Sequence, residues 1–185
     1  MATHDATTRT YISVRYKELY SKDLHELMKK EFSANDFGKA IQCLSLRPDR
    51  AEALMIQFAT KGIGASTNII WSIICGRTNA EIDILKKTYF TMNTKDLSKL
   101  LGSELHGDME RLVFTCLQGA EEVYDPQFHT LEKAVEDAGI IHAKGQGRWG
   151  TDERGIFKII GASPKEHLQN VSKYVLMYFL LLFRT

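Results

Sequence analysis

The amino-acid sequence predicts an all-α protein built from repeats of five short helices, and three observations carry that prediction. Apolar residues recur at i, i+3 and i+4 spacing, while alternating strand-like runs are nearly absent. Only three prolines occur, Pro48, Pro126 and Pro164, so long stretches are free to be helical. Finally, the chain is similar to itself at two displacements. Lys22-Asp23-Leu24 followed by Glu31 recurs, at a shift of 73, as Lys95-Asp96-Leu97 followed by Glu104, and Tyr16 matches Tyr89 at the same shift. Gly64, Ile70, Trp71, Ile73 and Ile74 align with Gly150, Ile156, Phe157, Ile159 and Ile160 at a shift of 86. The unequal shifts imply about 70 residues per repeat, with a longer connector before the last one.

These displacements divide the chain into a partial first repeat over 1–46, a complete second repeat over 47–120, a connector over 121–131 and a partial third repeat over 132–185. In the second repeat the first helix ends in a glycine loop, Thr60-Lys61-Gly62-Ile63-Gly64. Ser66 is placed to cap the next helix, whose buried stripe is Ile69/Ile70 with Ile73/Ile74. Ile82, Leu85 and Tyr89 mark another amphipathic helix, and 96–101 and 108–117 make two more, joined through Gly102 and Gly107. The connector contains Tyr124-Asp125-Pro126, a turn signature. In the third repeat 132–142 reads as helix, followed by a second glycine loop, Gly145-Gln146-Gly147-Arg148-Trp149-Gly150. Thr151-Asp152-Glu153 then sets a capping hydroxyl and two carboxylates at a helix start, where the helix dipole favours them. The run 174–183 is ten apolar residues long, half of the roughly 20 needed to cross a bilayer as a helix. It reads either as a buried helix in an altered core or as a membrane contact.

Composition narrows the function. Apolar residues make up 44% of the chain, enough for a real core, and the formal net charge is +1. A nearly balanced charge gives no support to nucleic-acid binding or to a polybasic membrane clamp. An anionic surface would have to be met through some other source of positive charge. The three cysteines, Cys43, Cys75 and Cys116, are odd in number, widely spaced and without a CxxC, which argues against a disulfide framework or zinc site and for a reducing compartment. Residues 1–9 are polar and lack an apolar signal core, so a cytoplasmic location is expected. The six histidines form no HExxH pattern and no GxSxG occurs, so catalysis has no visible carrier. The second glycine loop satisfies G-x-G-x-x-G, but the dinucleotide fingerprint requires a preceding strand within a βαβ unit, and the segment before this loop reads as helix.

The glycine loops hold the chemistry that is left. Glycine lets the backbone turn so that successive carbonyl oxygens face one point. Hard cations such as calcium take several oxygen ligands, mixing carbonyls, carboxylates and water. Glu104 lies 40 residues after Gly64, on the short loop expected between the fourth and fifth helices, which a compact repeat can bring back beside the first loop.

A Lys-Gly-x-Gly loop opening a helix, an Arg-Thr pair ending it and an acid at a set distance downstream resemble the annexin repeat with its loop-type calcium site. Here those parts are Lys61-Gly62-Ile63-Gly64, Arg77-Thr78 and Glu104. Arg148-Trp149-Gly150-Thr151-Asp152-Glu153 is similar to the third annexin repeat, whose loop is longer and often carries tryptophan. The resemblance covers roughly residues 10–175. It implies calcium held by the carbonyls of Thr60, Gly62 and Gly64 and the carboxylate of Glu104. A weaker site at Gly145, Arg148 and Gly150, and lipid contact by Trp149, follow from the same resemblance. One carboxylate against a divalent ion leaves a positive site, which is how a nearly neutral chain could meet anionic phospholipid.

The sequence also departs from the family. Annexin loops usually continue Gly-Thr-Asp, whereas Gly64 is followed by Ala65-Ser66. The loop paired with Glu31 would lie before Met1, and the acid paired with Gly150 would fall beyond Thr185, so only the Gly62/Gly64/Glu104 set is complete. The resemblance therefore implies a cytoplasmic protein, peripheral on membranes when calcium rises, formed from the back of one repeat, a whole second and the front of a third. The alternative is a calcium-independent helical interaction module whose exposed apolar faces bind a protein partner or self-associate.

Overall fold

The computed structural model of the chain describes residues 2–32, 35–61, 66–145 and 152–182, the side chains of the last stretch as far as residue 177. Among the described residues there are eleven helices and no strand, as the periodicity predicts. They are α1 (Ala6–Tyr20), α2 (Leu24–Glu31), α3 (Asp36–Leu44), α4 (Pro48–Ala59), α5 (Thr67–Ile74), α6 (Asn79–Asn93), α7 (Leu97–Glu104), α8 (Gly107–Leu117), α9 (Leu131–Lys144), α10 (Glu153–Ala162) and α11 (Lys165–Leu182).

The internal similarity is written into the backbone. The bounds of α1 and α2 map onto those of α6 and α7 at the first of the two shifts, and the residues after α1 and α6, Ser21 and Thr94, share the same left-handed φ of 52°. The repeated Lys-Asp-Leu triplet has a physical role at each occurrence. Asp23 caps α2 by accepting from the amides of His25 and Glu26, and Asp96 caps α7 by accepting from the amide of Lys99. The leucine that follows, Leu24 or Leu97, is the first helical residue and is buried. The starts of α5 and α6 map likewise onto those of α10 and α11 at the second shift. One full set of five helices, α4–α8, is thus preceded by counterparts of its last three and followed by counterparts of its first three.

The chain packs as two compact units, one of residues 1–73 with 83–105 and the other of 74–82 with 106–185. In the first, α2 packs on α1 and α3, and α3 on α4. Its buried residues include Leu54, Ile56, Ile70, Leu85, Leu97, Leu101 and Leu105. The end of α3 is tied to its neighbours by polar bonds: Ser13 Oγ donates to the Ser45 carbonyl at 2.9 Å, and His25 Nδ1 lies 3.1 Å from Ser45 Oγ.

In the second unit α11 packs along α9, and α10 lies on α8 and α9. Ala134, Ala138 and Val171 form a small-residue core into which Ile141, Tyr174 and Val175 pack. The small side chains on α9 let α11 approach closely, and the start of the 174–183 apolar run takes part in this contact. Farther along, Leu176 is exposed. Among the described residues no helix is long and apolar enough to cross a membrane.

One sequence expectation is corrected. Gly102, read as part of a break between helices, lies inside α7, which runs on to Glu104. The buried stripe Leu97, Leu101, Leu105 continues across the glycine at helical spacing. Burying those leucines outweighs the roughly 1 kcal/mol that a helical glycine costs. The turn falls instead at Leu105 and His106, before Gly107 at φ +66°.

Candidate functional site

The first glycine loop begins where α4 stops. Thr60 is the C-cap of α4, and its amide donates to the Ile56 carbonyl at 3.0 Å. Its hydroxyl donates to the same carbonyl at 2.9 Å. With its donors turned back into α4, what Thr60 can offer a cation is its carbonyl oxygen. The following side chain, Lys61, is exposed. Gly62 and Gly64 lie outside the described residues. The loop closes on itself, because the Ser66 amide donates to the Ala59 carbonyl at 2.7 Å. The Ser66 carbonyl then accepts from the amides of Ile69 and Ile70, which starts α5. Ser66 thus stands at the cap position expected of it.

Glu104, expected on the loop after the fourth helix, is instead the last residue of α7, because the buried Leu97, Leu101, Leu105 stripe carries the helix on to it. The residue is half-buried, in the same compact unit as Thr60 and Lys61. Its carboxylate makes no hydrogen bond or ion pair with any described residue. By contrast, Asp108, four residues on in the chain, is paired with Arg111 at 3.0 Å. A half-buried carboxylate without a partner is a group suited to a cation. The Thr60 carbonyl at the end of α4 and the Glu104 carboxylate are each oxygen donors of the kind calcium takes.

The second glycine loop is closed in the same way. Gly145 caps α9 through its amide bond to the Ile141 carbonyl at 2.9 Å, and the Asp152 amide donates to the Lys144 carbonyl at 2.8 Å. Asp152 is the N-cap of α10, accepting from the Gly155 amide, and its carboxylate also pairs with Lys144. Arg148, Trp149, Gly150 and Thr151 lie outside the described residues.

The Arg77-Thr78 pair has a structural function. The Thr78 amide and hydroxyl both donate to Glu81 Oε2, at 2.9 and 3.0 Å, and the Glu81 amide donates back to Thr78 Oγ1. This reciprocal capping box starts α6. Arg77 adds an ion pair to Glu81 at 3.6 Å. The Thr78 amide above all, then its hydroxyl, holds the Glu81 carboxyl below the usual carboxylate range.

Two groupings were not visible in the sequence. In the second unit the buried His167 and Asp137 join the half-buried Lys133 in a polar chain: His167 Nε2 is 2.8 Å from Asp137 Oδ2, and Lys133 Nζ is 3.0 Å from Asp137 Oδ1. Cys75 and Cys116 meet with their sulfurs 3.6 Å apart. Neither pair has a local spacing that a motif could encode. Among the described residues no three His, Cys, Asp or Glu side chains are grouped to hold a metal.

The annexin family profile matches residues 51–115, the stretch from α4 to α8 that carries the first loop and Glu104. Mouse annexin A13 is 30% identical over 171 residues, covering 91% of this chain and 52% of the relative. A structure of an annexin A8 mutant superposes with a TM-score of 0.77 at 28% identity, over 93% of this chain and 53% of that one. The chain belongs to the annexin family. It spans about half the length of the annexins it matches. The fold is shared more widely, as with calcium-bound annexin (Sm)1, at a TM-score of 0.72 and 22% identity over 95% of this chain and 53% of that one. The matched stretch is the helix set α4–α8.

Proposed function

We propose that this annexin chain binds anionic phospholipid membranes in a calcium-dependent manner through the loop at 60–64 together with Glu104. The observation that supports this most is the Glu104 carboxylate, half-buried at the end of α7 and without a partner among the described residues. In this reading the Thr60, Gly62 and Gly64 carbonyls and the Glu104 carboxylate hold the ion. Bound calcium would supply positive charge and open coordination positions that a lipid phosphate oxygen can complete. The chain's own part is to hold the loop: the Ser66–Ala59 bond fixes its ends, and the α4 cap turns the Thr60 donors away. The loop containing Gly145, Arg148 and Gly150 is a weaker second site, and Trp149 meets the lipid interface, where an indole is favoured. The protein is then a cytoplasmic binding protein rather than an enzyme, peripheral on membranes when calcium rises.

A site with one carboxylate implies weak calcium affinity, about 10⁻⁴ to 10⁻³ M, as for other low-affinity modules. Co-sedimentation with phosphatidylserine vesicles in calcium and in chelator tests the reading. Pelleting confined to the calcium sample is expected, and equal pelleting in both would defeat it.

A second reading has one observation behind it. Helix α1 buries none of its residues and exposes Tyr11, Val14, Leu19 and Tyr20. Those exposed side chains, spread around the helix, suit self-association with a second copy of the chain, independent of calcium. Substituting Glu104 separates the readings, since only the first depends on it.

A further inference from the structure

We propose that Cys75 and Cys116 form a reversible dithiol site that reacts with a small disulfide to give an intramolecular disulfide. Cys75 follows the last residue of α5, and Cys116 is the penultimate residue of α8, 41 residues later in the chain. Both belong to the same compact unit. Their sulfurs are 3.6 Å apart in thiol–thiol contact. A disulfide needs about 2.05 Å, an approach within reach of side-chain rotation once a bond begins to form. The third cysteine, Cys43, lies in the other unit.

Access and reactivity both favour the pair. The two thiols are half-buried and line an open groove of about 560 Å³, with Asn79, Gln169 and Ser172 among its polar walls. A low-molecular-weight disulfide can therefore reach them. Hydrogen bonding within the pair divides them. The contact with Cys75 holds the Cys116 thiol below the ordinary range, while the same contact pushes Cys75 up. Cys43 is only pushed up, by burial. The thiolate is the attacking species; with Cys116 attacking first Cys75 resolves, and the reverse order gives the same product.

With oxidised glutathione as the oxidant, the balance is complete. The Cys116 thiolate attacks one glutathione sulfur, a Sγ–S bond forms, the glutathione S–S bond breaks and one glutathione thiolate leaves. Cys75, having given its proton to solvent, then attacks Cys116 Sγ. The second bond forms as the second glutathione thiolate leaves. Two electrons pass from the protein pair to glutathione, and two protons are taken up by the departing thiolates. In a reducing compartment the pair rests as dithiol, and the bond forms when the thiol pool is oxidised. The product would clip the α5–α6 turn to α8.

The test uses the full chain incubated with oxidised glutathione, followed by thiol counting after denaturation and peptide mapping without reductant. The expected product has lost two of its three thiols, is about 2 Da lighter, contains one linked Cys75–Cys116 peptide and reverts with dithiothreitol. Cys75→Ser should stop at a stable glutathione adduct on Cys116. A lasting adduct on wild-type Cys116, a link through Cys43, bonds between chains, or three thiols unchanged would each overturn the proposal.

Discussion

His167 donates from Nε2 to Asp137 Oδ2 across 2.8 Å, joining the first turn of α11 to the middle of α9 with both side chains buried. Lys133 holds the other carboxylate oxygen at 3.0 Å, so Asp137 answers a ring on one side and an ammonium on the other. His129 stands against the same imidazole, ring centres 5.0 Å apart, and its Nε2 lies 3.3 Å from Glu122. This polar chain sits beside the small-residue contact of α9 with α11.

Removing one partner of a buried pair leaves the other unanswered, which costs about 3–5 kcal/mol. Asp137→Ala is therefore expected to lower the unfolding free energy by about 3 kcal/mol or more, read by urea denaturation. Asp137→Asn, which keeps an acceptor, should cost less. Equal stability of wild type and the alanine variant would remove the pair from any role in holding α11.

Glu104→Gln keeps shape and polarity while deleting the charge. Calcium-dependent pelleting with phosphatidylserine vesicles should fall to the level seen in chelator, while the far-ultraviolet dichroism stays unchanged. Glu31 ends α2 as Glu104 ends α7, at the equivalent position of the preceding repeat, and serves as the control. Its glutamine variant should pellet like wild type.

Helices α10 and α8 meet at a glycine. A Cβ on Gly161 would stand 2.4 Å from Thr115 Cγ2, the methyl of a short branched side chain with little room to swing away. Gly161→Ala is expected to destabilise the protein by about 1–3 kcal/mol despite alanine's better helix propensity. A melting temperature at or above wild type would show that α10 can shift without cost.

The capping box at α6 gives a pH dependence whose sign can be worked out. The Thr78 bonds hold the Glu81 carboxyl below its ordinary value of 4.5, so the folded state favours the carboxylate. The stabilisation is present above the unfolded-state value and is lost as pH falls through the folded one. Glu81→Gln should be less stable than wild type near neutral pH, and the difference should shrink once the pH falls below about 4. A gap that persists unchanged in acid would assign the effect to packing. Because the carboxylate is half-exposed, the gap will be small.

By itself the sequence determined the helical class, the repeat and the turn chemistry. Each is a local property. Asp23 and Asp96 cap whatever helix follows them, Thr78 and Glu81 are near neighbours in the chain, and the isoleucine stripe of α5 is read from spacing alone. The candidate calcium loop was proposed from its close-set glycines, and its pairing with Glu104 from the annexin resemblance. Where Gly102 suggested a break, propensity misled, because burial of Leu97, Leu101 and Leu105 decides the end of α7. Only the tertiary structure decided that Asp137 meets His167 across 30 residues and that Cys75 meets Cys116 across 41. Such pairs are set by how helices pack side against side. Packing depends on the summed fit of many side chains, and no short stretch of chain encodes it.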